Sequence, residues 1–337
     1  MAPALFSLEK VSVRYDEVQA LNEITCLIHE GEHVAVVGHS GSGKSTLLKV
    51  LAGTRSPTVG AVFFRGEDAS RIAPCKRGVG FLFQGSAHLL PHLSGTDHIQ
   101  LVCASRRGDV AHAFAFAERL GISGVLGRTP GQLSGGQRQR LGLLVALAAN
   151  PGVAFLDEPF SSLDRSLHLS MRREFSSLFR ELGKTLVLVT HDIDDATRMC
   201  DRVLVVMGGE IIQDGRPSDL YGNPVSLDVA RVGGEINIIS PRHAEVLGVT
   251  VPTGTKSVGI RPEHLVPDSR GVPGVVSGIT MSGGVVEFCF TGLADMSLVL
   301  SVRFLGAPLF ACSQVSISLS ERAAPLFFGG VGERIRP

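Results

Sequence analysis

HVAVVGHSGSGKSTLLKVLA, residues 33–52, is the stretch whose reading decides the fold. The run from His33 to Val37 is continuous and apolar, which predicts a strand buried on both faces, as in a parallel sheet. Thr46 to Ala52 follow a helical pattern. Between them Gly38, His39, Ser40, Gly41, Ser42, Gly43, Lys44 and Ser45 fit G-x-x-x-x-G-K-[ST], in the strand–loop–helix setting that gives the pattern its meaning. Glycines there let backbone N–H groups close around phosphate oxygens, and the helix N-terminus adds partial positive charge. Lys44 is placed to reach β- and γ-phosphates and Ser45 to ligate Mg2+, with Thr46 beside them. A plain glycine-rich turn is the alternative, and the flanking strand and helix weigh against it.

Upstream, residues 4–37 alternate strands with turns at Asp16-Glu17 and Glu30-Gly31. Downstream, residues 109–120 and 136–150 read as helices, Val153–Leu156 as a buried strand, and Arg165–Leu182 as a long amphipathic helix ended by Gly183. Thr185–Thr190 and Arg202–Met207 read as two further strands. Strands alternating with helices predict a parallel sheet covered on both faces. VAFLDE, residues 153–158, is an apolar strand ending in two carboxylates. It places Asp157 beside the phosphate loop, where it can hold Mg2+ through water, and leaves Glu158 to polarise an attacking water. A strand end with solvated acids is the plainer alternative. Leu133-Ser134-Gly135-Gly136-Gln137 precedes a helix. Read bare, it caps that helix. It also offers a hydroxyl, unhindered N–H groups and a helix dipole, a second phosphate-binding surface. If both surfaces cannot reach one nucleotide, two chains must share it.

Composition narrows the classes. The chain has 337 residues, 44% hydrophobic and 19% charged, enough for about two domains with sizeable cores. Lys+Arg and Asp+Glu are 32 each, a zero balance that argues against a protein coating nucleic acid. Aromatics are only 6% and Trp is absent, which suits tight loops better than a carbohydrate-stacking surface. No stretch reaches the ~20 apolar residues of a spanning helix, since Arg140–Asp157 is broken by Asn150, Pro151 and Gly152. Met1 to Lys10 lack the pattern of a signal peptide. Cys26, Cys75, Cys103, Cys200, Cys289 and Cys312 are scattered, so reduced thiols are expected rather than a zinc site. Near residue 233 the texture changes. Gly233-Gly234 and Ser240-Pro241 read as a linker, and the pieces SVGIRP, VVSGITM, GVVEFCF, SLVLSVRFL and QVSISLS predict a small all-β barrel or sandwich without long helices.

The phosphate loop, LSGGQ and a strand ending in Asp-Glu, in this order, resemble the ATPase subunit of ABC transporters over about residues 4–236. The resemblance implies ATP and Mg2+ as ligands and adds further positions. Tyr15, in VRYDEVQAL, looks like the aromatic that stacks on adenine. Gln84, in FLFQ, looks like the glutamine that reaches Mg2+ and water and senses the permease. Ser161-Ser162-Leu163-Asp164 looks like the D-loop, with Asp164 coupling two sites, and His191, in VTHD, like the switch histidine. The catalytic set is thus Glu158, His191 and Gln84, and the metal set Ser45, Gln84 and Asp157. GGEIIQDGRPSDLYGNP (208–224) and VGIRPEHL (258–265), with Arg261-Pro262-Glu263 the most characteristic piece, look like importers of maltose and other sugars, spermidine/putrescine, sulfate or ferric iron that carry an OB-like TOBE domain.

The implied architecture is α/β: an ABC ATPase domain over 1–236 with a helical subdomain at about 85–150, then a β-rich OB-like TOBE domain over 237–337. The implied role is to power import through a separate permease, as a homodimer on the cytoplasmic face of the inner membrane, with a periplasmic or extracellular binding protein in the complex and no nucleic acid. The docking surface is expected between Gln84 and about residue 105. The alternative is a soluble non-transport ABC ATPase whose OB-like domain binds nucleic acid or protein. A GTPase or small-molecule kinase is disfavoured by the absence of N-K-x-D.

Three departures stand out. Val145 occupies a position where the family carries arginine, Asp97-His98 replaces an Asn-containing segment, and the C-terminal domain is short. His88, His92 and His98 invite a metal reading that lacks a Cys or carboxylate to complete it. Phe114 and Phe116 read as core.

Overall fold

A computed structural model describes residues 3–336 apart from 107, 162, 283–284, 293–296 and 304–313. Ser162 of the expected D-loop, Gly284 of the GVVEFCF piece, Cys312, and residues 304–305 of the SLVLSVRFL piece lie outside the described residues. The chain divides into two compact units, Met1–Pro217 and Ser218–Pro337.

In the first unit β1 (Ala4–Tyr15) and β2 (Val18–His29) form a hairpin. β3 (His33–Val37) leads through the glycine-rich loop into α1 (Lys44–Ala52). β4 (Val59–Phe64), β5 (Glu67–Asp68) and β6 (Val79–Leu82) follow, then α2 (Gly95–Arg106), α3 (Val110–Arg119) and α4 (Gly135–Leu147). β7 (Val153–Asp157), α5 (Arg165–Leu182), β8 (Thr185–Thr190), α6 (Ile193–Met199), β9 (Arg202–Met207) and β10 (Glu210–Gly215) complete the unit. Gly183 ends α5 in the left-handed region, as its sequence position predicts.

Two sheets share one core. β2-β1-β4-β5 is antiparallel. The second sheet runs β10-β9-β3-β8-β7-β6 and is parallel except at β10. The expectation of a parallel sheet alone missed this antiparallel edge. Gly208 and Gly209, both with positive φ, turn the chain in two residues, which permits a hairpin and not a crossover. The sheets meet through Phe6 of β1, whose ring centroid lies 5.9 Å from that of Phe155 on β7. Leu47, Leu48, Val50 and Leu51 of α1 fill the same core. Close packing of this kind makes loss of one such ring cost about 3–5 kcal/mol. Phe116 is buried and Phe114 half-buried. No described helix is long and apolar enough to cross a membrane.

The second unit holds α7 (Pro217–Gly222, whose first residue closes the first unit), α8 (Leu227–Val232), β11 (Asn237–Ile239), α9 (Pro241–Val246), β12 (Ser257–Ile260), β13 (Leu265–Ser282), β14 (Val285–Gly292), β15 (Ser297–Arg303), β16 (Gln314–Leu319), β17 (Leu326–Phe328) and β18 (Arg334–Ile335). They form antiparallel sheets β11-β12-β17-β18 and β15-β14-β13-β16. The stretch expected to be a linker is ordered. Ser240 caps α9, accepting the His243 N–H, and β11 pairs with β12. The unit also begins at Ser218 rather than 237, and one buried side chain accounts for that. Arg261, 2% exposed, donates to the carbonyls of Ala230, Gly234, Glu235 and Tyr221 at 2.8–3.0 Å, and its guanidinium lies 4.1 Å from the centre of the Tyr221 ring. Residues 218–236 are therefore stitched to the β unit by backbone carbonyls that a loop would leave in water.

Burial lowers the Arg261 pKa to about 10, and truncation would remove the donor that four backbone carbonyls share. Arg261→Ala is expected to destabilise residues 218–337 by about 3 kcal/mol, read from hydrogen-exchange protection of β11 and β12. A loss below about 1 kcal/mol would show that water replaces the guanidinium freely.

Candidate functional site

Strand register builds the site. Val37 pairs with Thr190, Val189 with Asp157, and Leu156 with Leu82. The parallel strands β3, β8, β7 and β6 therefore end level, and the loops leaving them emerge at one edge, where open α/β sheets bind ligands. Those loops carry the glycine-rich segment, His191, Glu158 and Gln84.

The glycine-rich segment is fixed by what surrounds it. Gly43 has φ 106°, and a Cβ there would lie 2.4 Å from the Ala20 carbonyl oxygen. At Gly38 a Cβ would lie 2.1 Å from the Val206 carbonyl oxygen. α1 begins at Lys44, two residues before the helical pattern becomes visible in sequence, because Gly43 occupies the N-cap. The buried Lys44 ammonium donates to the carbonyls of Gly38 (2.9 Å) and His39 (2.8 Å). Burial lowers its pKa, against the opposing pull of Glu158 and Asp157. Ser42 Oγ is buried without a hydrogen-bond partner among the described residues. A buried cation whose hydrogen bonds, among the described residues, go to neutral carbonyls, beside a hydroxyl without a partner there, suits an entering anion.

Ser45 Oγ donates to Asp157 Oδ1 at 3.2 Å. Burial is the main cause that raises the Asp157 pKa, with the Ser45 hydrogen bond opposing it. Glu158 sits in the left-handed region at φ 45°, and its N–H donates to the Val189 carbonyl at 2.9 Å. That conformation is costly for a residue with a side chain and is held by the surrounding structure. Gln84 Nε2 donates to Glu158 Oε2 at 2.9 Å, and His191 Nδ1 lies 3.4 Å from Oε1. Three loops thus converge on one carboxylate. The Ser45 hydroxyl and Asp157 carboxylate form a hard oxygen pair that fits Mg2+.

The other predicted residues lie apart from this cluster. Ser134 and Gln137 form a capping box: Ser134 Oγ accepts the Gln137 N–H, and Gln137 Oε1 accepts the Ser134 N–H. Leu133 is buried, Gly135 is exposed, and a Cβ on Gly136 would press on Leu167. The helix-cap and phosphate-surface readings of LSGGQ are therefore compatible, because the cap leaves the N-terminus of α4 facing outward. No hydrogen bond joins residues 133–137 to residues 38–46 among the described residues. Asp164 caps α5, and hydrogen bonds from Leu167 and Ser166 hold its carboxyl below the ordinary range. Tyr15 ends β1, with the Arg55 guanidinium 4.3 Å from its ring centre. The three histidines do not share a ligand geometry. His88 bonds the Gly142 carbonyl, while His98 bonds the Ser94 carbonyl and the Leu90 N–H. Asp97 accepts the Ser94 N–H and hydroxyl, so the Asp97-His98 departure builds a local clamp at the start of α2. Val145 is buried in α4.

Sequence reading missed one cluster: His168, Arg172, Thr190 and Asp195. Asp195 is 2% exposed and bonds all three others. In sequence it passes for ordinary first-turn acid on α6. Its place between Ile193 and the apolar Ala196 and Met199 is the only hint of burial.

Comparison with known proteins follows the same lines. The ABC transporter family model matches residues 21–161. The chain is 38% identical to the sulfate/thiosulfate import ATP-binding protein CysA 2 of Chromobacterium violaceum, over 79% of this chain and 77% of that protein. It is 35% identical to the maltose/maltodextrin import ATP-binding protein MalK of Photorhabdus laumondii, over 82% and 80%. Among solved structures, the dimeric post-hydrolysis state of the ATP-binding cassette MJ0796 with ADP and phosphate matches at 30% identity and TM-score 0.55, covering 63% of this chain and 98% of that one.

Asp157 also predicts a pH effect. Its raised folded-state pKa means the carboxyl favours folding when protonated, below the ordinary carboxylate range, and that contribution is lost as pH rises through the folded value. Asp157→Asn keeps an acceptor for Ser45 and removes the titration. Without added metal, the variant is expected to melt above wild type near about pH 7.5 and level with it near about pH 3. A variant less stable at the higher pH would mean the ionised carboxylate is a net stabiliser.

Proposed function

The chain belongs to the ABC transporter ATPases, and on that premise we propose how its residues divide the work of an importer's ATP-binding subunit. The observation that carries the proposal is the convergence of Gln84 and His191 on Glu158, beside the Ser45–Asp157 pair and the buried Lys44. ATP lies with its phosphates in residues 38–46, where Lys44 exchanges the Gly38 and His39 carbonyls for phosphate oxygens, and Tyr15 offers its free ring face to the base. Ser45 and Asp157 hold Mg2+, with Gln84 nearby. The bound ion supplies charge neutralisation at the phosphate oxygens.

Glu158 is the general base. Gln84 fixes Oε2, leaving Oε1 to take the proton of a water whose oxygen attacks the γ-phosphorus; ADP leaves with the electron pair of the broken P–O bond. His191 holds the carboxylate and the γ-phosphate in register. Donors aimed where charge is redistributed supply most of the rate in such reactions. Ser134, Gly136 and Gln137 close over the γ-phosphate of a second protomer, which their place outside the Glu158 cluster supports. Asp164 couples the two sites of that homodimer.

A membrane permease and a substrate-binding protein complete the importer, with this chain at the inner face of the membrane. Leu90 (40% exposed) and Leu101 (50% exposed) lie in the segment proposed to receive a permease helix, and apolar anchors are what a helix in a groove needs. The C-terminal unit is proposed to be the TOBE domain. Likeness to import subunits counts against a soluble, non-transport role.

ATP hydrolysis by the purified chain, measured against protein concentration, tests the shared site. The rate is expected to rise more than linearly, and Glu158→Gln to bind ATP while losing at least about 100-fold in turnover. A linear rate would place the whole site in one chain. Undiminished turnover in the variant would give the base role to another group.

A further inference from the structure

Asp195 is a buried carboxylate that the proposed chemistry does not use. Its Oδ1 accepts from His168 Nε2 at 2.7 Å and from Arg172 at 3.2 Å, both on α5. Its Oδ2 accepts from Thr190 Oγ at 3.4 Å. Thr190 Oγ in turn accepts the Asp192 N–H at 3.0 Å. The residues on either side of His191 are therefore tied to one another through a hydroxyl, and that hydroxyl is tied to Asp195. His168 connects the network to the loop between β7 and α5, which carries Glu158, Phe160 and Asp164. Its N–H donates to the Asp164 carbonyl at 2.8 Å, and its ring stacks on Phe160, centroids 5.1 Å apart, in the loop that leaves Glu158.

The ligand atoms of His168, Asp192 and Asp195 lie within 4.8 Å of one another, a spacing that would suit a metal ion. Arg172 argues against one, because its guanidinium already supplies the positive charge at Asp195. A buried carboxylate that accepts from an arginine, a histidine and a hydroxyl is a fixed joint between elements.

We propose that Asp195 is a positioning residue for hydrolysis: through Thr190 it sets the backbone that carries His191, and through His168 and Arg172 it anchors that backbone to the helix capped by Asp164. The proposal rests on the role given above to His191. Among the described residues Asp195 makes no hydrogen bond to residues 38–46 or to Glu158; its partners are His168, Arg172 and Thr190. Its removal leaves the nucleotide cradle whole and loosens the aim of His191 at Glu158.

The test uses the full-length chain and separates kcat from KM. Asp195→Asn is expected to lower kcat for ATP hydrolysis about tenfold with KM changed less than about twofold, as for other outer partners of a catalytic group. Thr190→Val, which keeps the side-chain shape and removes the hydroxyl, is expected to lower kcat in the same way and serves if Asp195→Asn does not fold. The deciding measurement is the combination with His191→Ala. Either substitution should cost nothing further in that background, because the group being aimed is gone. A general loss of folded protein would instead lower the rate by the same factor in both backgrounds, and that result overturns the proposal, as does unchanged kcat in the single variants. If His191→Ala itself turns over like wild type, the switch role fails, and the positioning role with it; the two failures are told apart by that single variant.

Discussion

Four parallel strands that end level are the constraint on which the rest depends. β3, β8, β7 and β6 pair residue for residue, so the phosphate loop, His191, Glu158 and Gln84 arrive at one edge without any of them choosing its neighbours. A slip of one residue in any pair would turn each side chain of that strand to the other face. Val34–Val37, Val153–Leu156 and Leu186–Val189 are buried on both faces, so both orientations of each strand are held by packing. The hydrophobic core thereby sets the distances at which a carboxylate, an amide and an imidazole meet.

Most of the first unit was legible because its signals are local. The strand–loop–helix run at 33–52, the helix at 165–182 and the strands at 185–190 and 202–207 each carry their own pattern, and the spacing of P-loop, LSGGQ and VAFLDE carries the chemistry. What was not legible depends on partners remote in sequence. The antiparallel edge at β10 follows from a two-glycine turn whose meaning appears only when β9 is central. Asp195 reads as a surface acid until His168 and Arg172 are brought to it from 27 and 23 residues away. The stretch at 233–241 has the composition of a linker. Its order comes from Arg261, whose guanidinium reaches Tyr221 40 residues upstream.

Two of the buried cations, Lys44 and Arg261, show two solutions to one problem. Lys44 and Arg261 are both nearly inaccessible, and both are solvated by neutral backbone carbonyls. Arg261 spreads four hydrogen bonds over three stretches of chain and works as a fastener. Lys44, among the described residues, donates to two carbonyls of its own loop, and the nearby Glu158 and Asp157 oppose the lowering of its pKa by burial. The first arrangement has no better partner to move to, and the second has one as soon as phosphate oxygens arrive.

The glycines of the phosphate loop carry a thermodynamic consequence. Gly38 and Gly43 leave no room beside them, because the Val206 and Ala20 carbonyls of β9 and β2 press against the loop. Strands of both sheets therefore wedge the cradle into shape as the chain folds. The conformational entropy of ordering that loop is lost at folding, not at ligand entry, so the affinity for phosphate is not diminished by it. Preorganisation of this kind makes the loop a rigid receptor and leaves induced movement to the elements that reach it from outside.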